Sequence, residues 1–151
     1  MDLEKVLLSP LRFYFERISN PVYKENLAKN IVSLCENNSY ILDLGCDDGF
    51  VANRIMELDP TLRIIGVDIQ KNRPSKIPRM IYDGKRIPYE DDTFDIVLAA
   101  DVLHHTENIL DVLKEMKRVS KRYIIIKDHM KHSMFSNFLI GFFDYISNAP
   151  F

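Results

Sequence analysis

The sequence predicts an α/β fold, with an open, mainly parallel sheet and helices on both faces. Three observations predict it. From Tyr40 onward, short apolar runs alternate with segments of helical periodicity. The run "YILDL" at Tyr40–Leu44 is apolar except at Asp43, as expected of a strand buried on both faces. Asp and Gly follow the runs, as turns leaving strands require.

Each element follows from the residues. Leu3 to Ile18 carries apolar residues at helical spacing and stops at "SNP", Ser19–Pro21. Val22 to Glu36 predicts a second helix with Leu27, Ile31 and Leu34 on one face, ended by Asn37–Asn38. Tyr40–Leu44 predicts the first strand, broken in its apolarity only by Asp43. Phe50–Leu58 predicts a helix that stops at Asp59–Pro60. Leu62–Asp68 predicts the second strand, Arg79–Tyr82 a short third and Phe94–Ala100 the fourth. Asn108–Val119 places Ile109, Val112, Leu113 and Met116 at helical spacing. Tyr123–Lys127 is the fifth strand. His132–Ile146 is a final helix with Phe135, Phe138, Leu139, Phe142 and Phe143 on its apolar side. One connection departs from the pattern. Only "IQKNRPSKIP", with two prolines, joins the second and third strands, where a parallel crossover normally needs a helix. An extended or single-turn link is expected there.

Ligands of open α/β sheets bind beyond the carboxyl ends of the strands. The first strand runs through Asp43 into Gly45-Cys46-Asp47-Asp48-Gly49. The second ends at Asp68, and the third leads to Asp83-Gly84. The fourth leads through Ala99 and Ala100 to Asp101, His104 and His105, and the fifth to Asp128 and His129. Every strand thus delivers an acid to one edge. A pyrophosphate at a helix N-terminus is ill suited to so many carboxylates. The dinucleotide pattern GxGxxG fails at Asp47 and Phe50, GxxxxGK[ST] is absent, and a calcium loop with Gly49 sixth would start on Leu44. Acids here favour a ligand with hydroxyls and positive charge. An acid ending the second strand can accept both hydroxyls of a ribose, and acids by the first turn can hold an ammonium beside a sulfonium. S-adenosylmethionine has all three groups.

The residues resemble the class I S-adenosylmethionine-dependent methyltransferases. "ILDLGCDDG" resembles their first motif and "IIGVDI" the second. "YDGKRIPYEDDTFDIVLAADVLHH" resembles the third and fourth, with "IPY" at Ile87–Tyr89 for an "LPF"-like triplet. The likeness covers about Ser39 to Lys127, and the order and spacing of the motifs carry it. It implies a Rossmann-like sheet of strand order 3-2-1-4-5 and S-adenosyl-L-methionine as cofactor. Asp43, Gly45, Cys46 and Gly49 would surround the methionine part. Asp68 would bind the ribose and Ile69 would lie on the adenine. Asp83 would accept from the adenine amino group, with the Gly84 N–H near the ring. Ala100 and Asp101 would border the transferred methyl. His104 or His105 is the candidate base where the acceptor must lose a proton. Two departures accompany the likeness. The turn has Asp47 where the family usually has glycine, and the family's two further strands after the fifth are missing, as if the chain were truncated.

The 151 residues fit one domain: N-terminal helices in 1–36, a cofactor-binding core in 39–128 and a C-terminal helix in 131–151. The net charge of −2 gives no broad basic field for nucleic acid, which leaves small molecules or protein side chains as acceptors. Two separated cysteines, Cys35 and Cys46, fit reduced thiols in the cytoplasm, and neither a signal peptide nor a membrane span is expected. The apolar final helix offers a face for a homodimer. Two other readings compete: a partner subunit that keeps the cofactor fold without catalysis, and a metal-binding protein using Asp101, His104 or His105, Asp128 and His129. The histidine and acid spacing matches no compact metal motif, so no metal ligand is expected.

Overall fold

The structure, a computed structural model, describes residues 20–71 and 74–128. Chain contacts divide the molecule into two units, Met1–Asn26 with Met130–Phe151, and Leu27–His129. The sheet lies wholly within the second. The expected helices Leu3–Ile18 and His132–Ile146 fall outside the described residues.

Helix α1 spans Asn20–Val32. It begins earlier than expected because Pro21 suits the first turn of a helix, where its missing N–H has no intrahelical role. It also ends earlier. Ser33 Oγ donates to the Asn30 carbonyl at 2.7 Å, and the Leu34 and Cys35 amides fold back onto Ile31 and Val32. Leu34 therefore leaves the helical face and is 57% exposed, whereas Leu27 and Ile31 are buried as expected.

The sheet contains β1 (Tyr40–Leu44), β2 (Arg63–Asp68), β3 (Arg79–Ile81), β4 (Phe94–Ala100) and β5 (Ser120–Lys127). Its order is β3-β2-β1-β4-β5 and every pairing is parallel. Helix α2 is Phe50–Leu58 and helix α3 is Ile109–Val119. The β4 exit makes a 3-10 turn at Leu103–His105 before α3. Strand β5 starts at Ser120, directly after α3, three residues before its apolar run. Its early residues pair across an irregularity with Phe94 and Ile96 of β4. Pairing, not apolarity, sets that boundary.

The two sheet faces are packed separately. Ile41, Ile64, Ile96 and Leu98 cluster with Leu27, Ile31, Ala52 and Ile55. On the other face Leu42, Leu44, Val67, Val97 and Ala99 cluster with Leu103, Met116 and Val119. The alternation within β1 and β4 is the two-residue period of a strand with core on both sides. Helix α3 turns Met116 and Val119 inward, but Ile109, expected on that face, is 46% exposed.

No helix occupies the described part of the β2–β3 connection. It packs instead against the turn after β1. The Lys76 amide donates to the Asp48 carbonyl at 2.8 Å, and the Gly66 amide to the Pro78 carbonyl at 2.9 Å.

Candidate functional site

Parallel pairing brings the acidic strand ends to one edge. Asp43 lies one residue before the end of β1, and Asp68 closes β2. Both are 5% exposed. Burial, reinforced by the charge of Asp68, pushes the Asp43 carboxyl up to about 7.

The turn after β1 is built around Asp68. The Gly45 and Cys46 amides donate to the Val67 carbonyl, at 2.8 and 3.3 Å. The Asp47 amide donates to Asp68 Oδ2 at 2.8 Å, and the Gln70 amide donates to Asp68 Oδ1 at 2.8 Å. Each carboxylate oxygen thus has one backbone donor that fixes its direction. Gly45, Asp47 and Gly49 all have positive φ, at 71°, 47° and 70°. The two glycines are also required by close approach: a Cβ on Gly45 would lie 2.4 Å from Val102 Cγ2, and one on Gly49 2.7 Å from Ile77 Cγ1. Asp47 adopts the left-handed conformation despite its side chain, which Asp tolerates better than most residues. The Asp48 carboxylate accepts the Phe50 amide at 3.1 Å, an Asx turn leading into the Gly49 N-cap of α2.

Cys46 is buried between the turn and β2, where a Cβ on Gly66 would meet its Sγ at 2.3 Å. Burial, with the charges of Asp43 and Asp68, pushes its thiol up to about 12. Cys35 is pushed up to about 11 by burial and then by Asp59.

Beyond β2, Ile69 is 61% exposed, an apolar side chain facing outward beside a buried acid. Gly84 has φ 78°, and a Cβ there would lie 3.4 Å from Ile69 Cγ2, so the two residues are neighbours. Asp83 is exposed, and its Oδ1 accepts the Lys85 and Arg86 amides at 2.8 and 3.1 Å. These bonds hold its carboxyl below the usual carboxylate range.

The β4 and β5 exits are joined by paired charges. Asp101 has φ 56° and accepts from Lys127 Nζ, while its amide donates to the Lys127 carbonyl at 2.8 Å. His104 Nδ1 lies 2.6 Å from Asp128 Oδ1, and the His104 amide donates to Asp128 Oδ2 at 3.2 Å. The His104 and His105 rings lie 3.9 Å apart between centroids, with His104 half-buried and His105 exposed. Ala100 is half-buried at the end of β4.

The structure therefore gathers two groups from the candidate residues. Asp43, Gly45, Cys46, Gly49, Asp68, Ile69 and Gly84 gather about the β1 and β2 exits, with Asp83 in the turn beside Gly84. Ala100, Asp101, His104 and His105 occupy the β4 exit. Among the described residues no cluster of three His, Cys, Asp or Glu side chains forms a metal cage. His129, the last member of the expected metal set, lies outside those residues. Two cations beside these groups, Arg79 and Lys127, are not among the residues expected above. Arg79 Nη1 donates to the Asp47 carbonyl at 2.8 Å from the first position of β3. Lys127 had a signal, as a cation directly before Asp128 at the end of the fifth strand.

Comparison with known proteins agrees with this architecture. A family model described as a methyltransferase domain matches residues 42–125, more than half of the chain. A malonyl-(acyl-carrier protein) O-methyltransferase of Legionella pneumophila is 30% identical over 89 residues, 52% of this chain and 31% of that protein. A tRNA U34 carboxymethyltransferase of Nautilia profundicola is 30% identical over 105 residues, 62% of this chain and 34% of that protein. The chain thus spans about a third of the length of these curated relatives. A solved structure from Methanococcus maripaludis, described as a candidate S-adenosyl-L-methionine-dependent methyltransferase, superposes with a TM-score of 0.65 at 15% identity. It covers 95% of this chain, which covers 71% of it in turn. The fold of a parallel β3-β2-β1-β4-β5 sheet, the acid-rimmed turn after β1 and the family match agree: the chain belongs to the class I S-adenosylmethionine-dependent methyltransferase family.

Proposed function

We propose that this chain binds S-adenosylmethionine at the β1 and β2 exits and catalyses methyl transfer to a small-molecule acceptor at the β4 exit. The observation that carries the reading is the buried Asp68 carboxylate, aimed by the Asp47 and Gln70 amides. The residues present fit the cofactor. Each Asp68 oxygen keeps acceptor capacity beyond its one backbone donor, which suits two ribose hydroxyls. Exposed Ile69 suits the face of a purine, and the neighbouring Gly84 adds no side chain there. Asp43 suits a ligand ammonium, since a cation restores the charge that burial suppresses.

When bound, the cofactor supplies an activated methyl group on a good leaving group. The chain's own residues hold and orient. Asp43 and the Gly45–Gly49 turn hold the amino-acid end, Asp68 the ribose, and Ile69, Asp83 and Gly84 the base. Ala100 and Asp101 border the acceptor, and most of the rate enhancement comes from orientation. Where the acceptor must lose a proton, His104 is the stronger base candidate than His105, because Asp128 orients its ring through Nδ1.

The reading takes residues 1–151 as one cytoplasmic domain. Free Cys35 and Cys46 support a reducing compartment. The net charge of −2 supports a small acceptor over nucleic acid. A homodimer through the helix expected from the sequence at His132–Ile146 belongs to the same proposal. A second reading, a partner subunit without catalysis, is favoured by one observation: the pairing of Asp101 with Lys127 at the acceptor side. Calorimetry with S-adenosylmethionine and S-adenosylhomocysteine tests the first step. Binding is expected, and Asp68→Ala is expected to weaken it at least tenfold through two lost hydrogen bonds. Unchanged affinity in that variant would sink the assignment of the pocket. Product formation over a panel of acceptors then separates enzyme from silent partner.

A further inference from the structure

We propose that Arg79 is a positioning residue for the cofactor turn, acting on Asp68 through Asp47. The inference rests on the reading of Asp68 as the ribose carboxylate. Arg79 lies at the first position of β3, paired with Gly66 of β2 and on the far side of β2 from the turn's own strand. Its Nη1 donates to the Asp47 carbonyl at 2.8 Å. The amide of the same residue donates to Asp68 Oδ2 at 2.8 Å. Asp47 therefore has both backbone polar groups engaged, one by a cation and one by the proposed ribose acid.

This connection matters because Asp47 stands at φ 47°, a conformation that costs a non-glycine residue energy. A strained turn persists only where its surroundings over-determine it. The guanidinium is one such constraint, and a charged donor makes a stronger bond than a neutral one. The β2–β3 connection supplies others. The Lys76 amide holds the Asp48 carbonyl, and Ile77 packs where a side chain on Gly49 would stand. With no helix in its described part, this connection runs close enough to brace the turn. The cation also lies among acids: its charge opposes Asp43 and Asp68 at the Cys46 thiol. Arg79 thus holds the Asp47 peptide from its carbonyl side while the same residue's N–H meets Asp68.

Two measurements on the full chain test this. Calorimetry with S-adenosylhomocysteine compares the wild type, Arg79→Gln and Arg79→Lys. The glutamine variant is expected to bind about tenfold more weakly, as for a lost charged hydrogen bond, and lysine to recover part of the loss. Amide hydrogen exchange on the unliganded protein is expected to rise at Asp47 in Arg79→Gln, while amides of β4 stay protected. An equal rise at both, as a general loss of stability gives, overturns the proposal. Wild-type affinity in Arg79→Gln, or equal protection at Asp47, overturns the proposal. If the wild type itself does not bind S-adenosylhomocysteine, the cofactor reading fails. The positioning of the turn is then decided by Asp47 exchange alone.

Discussion

Asp43 is the residue at which burial and chemistry conflict most sharply. Its carboxyl is pushed up to about 7, first by desolvation and then by the charge of Asp68. In the folded protein it is therefore largely neutral below that value, while in the unfolded chain it ionises from about pH 4. The unfolded state thus binds fewer protons across this window, so unliganded stability falls as pH rises from about 4 to about 7. Ligand binding runs the other way, because a cationic ligand prefers the ionised acid. Affinity for S-adenosylmethionine is expected to increase from about pH 6 to about pH 8, and Asp43→Asn to flatten the profile. Calorimetry across that range checks it; a flat wild-type profile would mean that no ligand cation approaches Asp43. The types and order of these residues were legible in the chain, since acids at strand ends need only the strand pattern to be found. Their division of labour was not. Asp83 spends one oxygen on its own turn, and Asp47 acts through its backbone, which no side-chain pattern announces.

At the scale of elements, β1, β4 and α2 match their expected bounds because each has sharp punctuation at both ends. Helix α1 and strand β5 differ from expectation for reasons beyond local pattern. Pro21 serves as a helix start, and β5 extends over Ser120, Lys121 and Arg122 through pairing with β4. The packing of β2 against the turn after β1 leads to a sharp prediction. A methyl on Gly66 would lie 2.3 Å from Cys46 Sγ and 2.8 Å from its Cβ. Gly66→Ala is expected to destabilise the protein by about 1–3 kcal/mol, as overpacking in a filled core does. Adding Cys46→Ala is expected to recover part of that loss by removing the sulfur. Denaturant melts of the two variants check both statements, and additive destabilisation in the double variant would refute the contact. The lack of a helix in the described part of the connection before β3 was legible from its short length and two prolines. That it braces the turn after β1 was not, because the contact joins residues far apart in the chain.

Across the whole molecule, the proposed ligand binds only where β1, β2 and the β2–β3 connection are assembled, so binding must stabilise the folded state. Saturation at about one hundred times the dissociation constant is expected to add about 2.7 kcal/mol, read as a rise in melting temperature. No rise with S-adenosylmethionine at millimolar excess would contradict the proposed binding. Arg118 shows how distant segments are held together. It donates to the Ile87 and Tyr89 carbonyls and pairs with Asp91 and Glu115, pinning the β3–β4 connection to α3. The sequence by itself determined the fold class, the strand order through family likeness, and the acids that the parallel strands carry to one edge. Period and punctuation are local properties, and a parallel sheet turns them directly into a shared edge. The tertiary structure alone decided which acid is aimed and by what: Arg79 to Asp47 to Asp68, and Asp128 to His104. Those bonds span 21 to 32 residues of chain, and their directionality appears only when the strands are laid side by side.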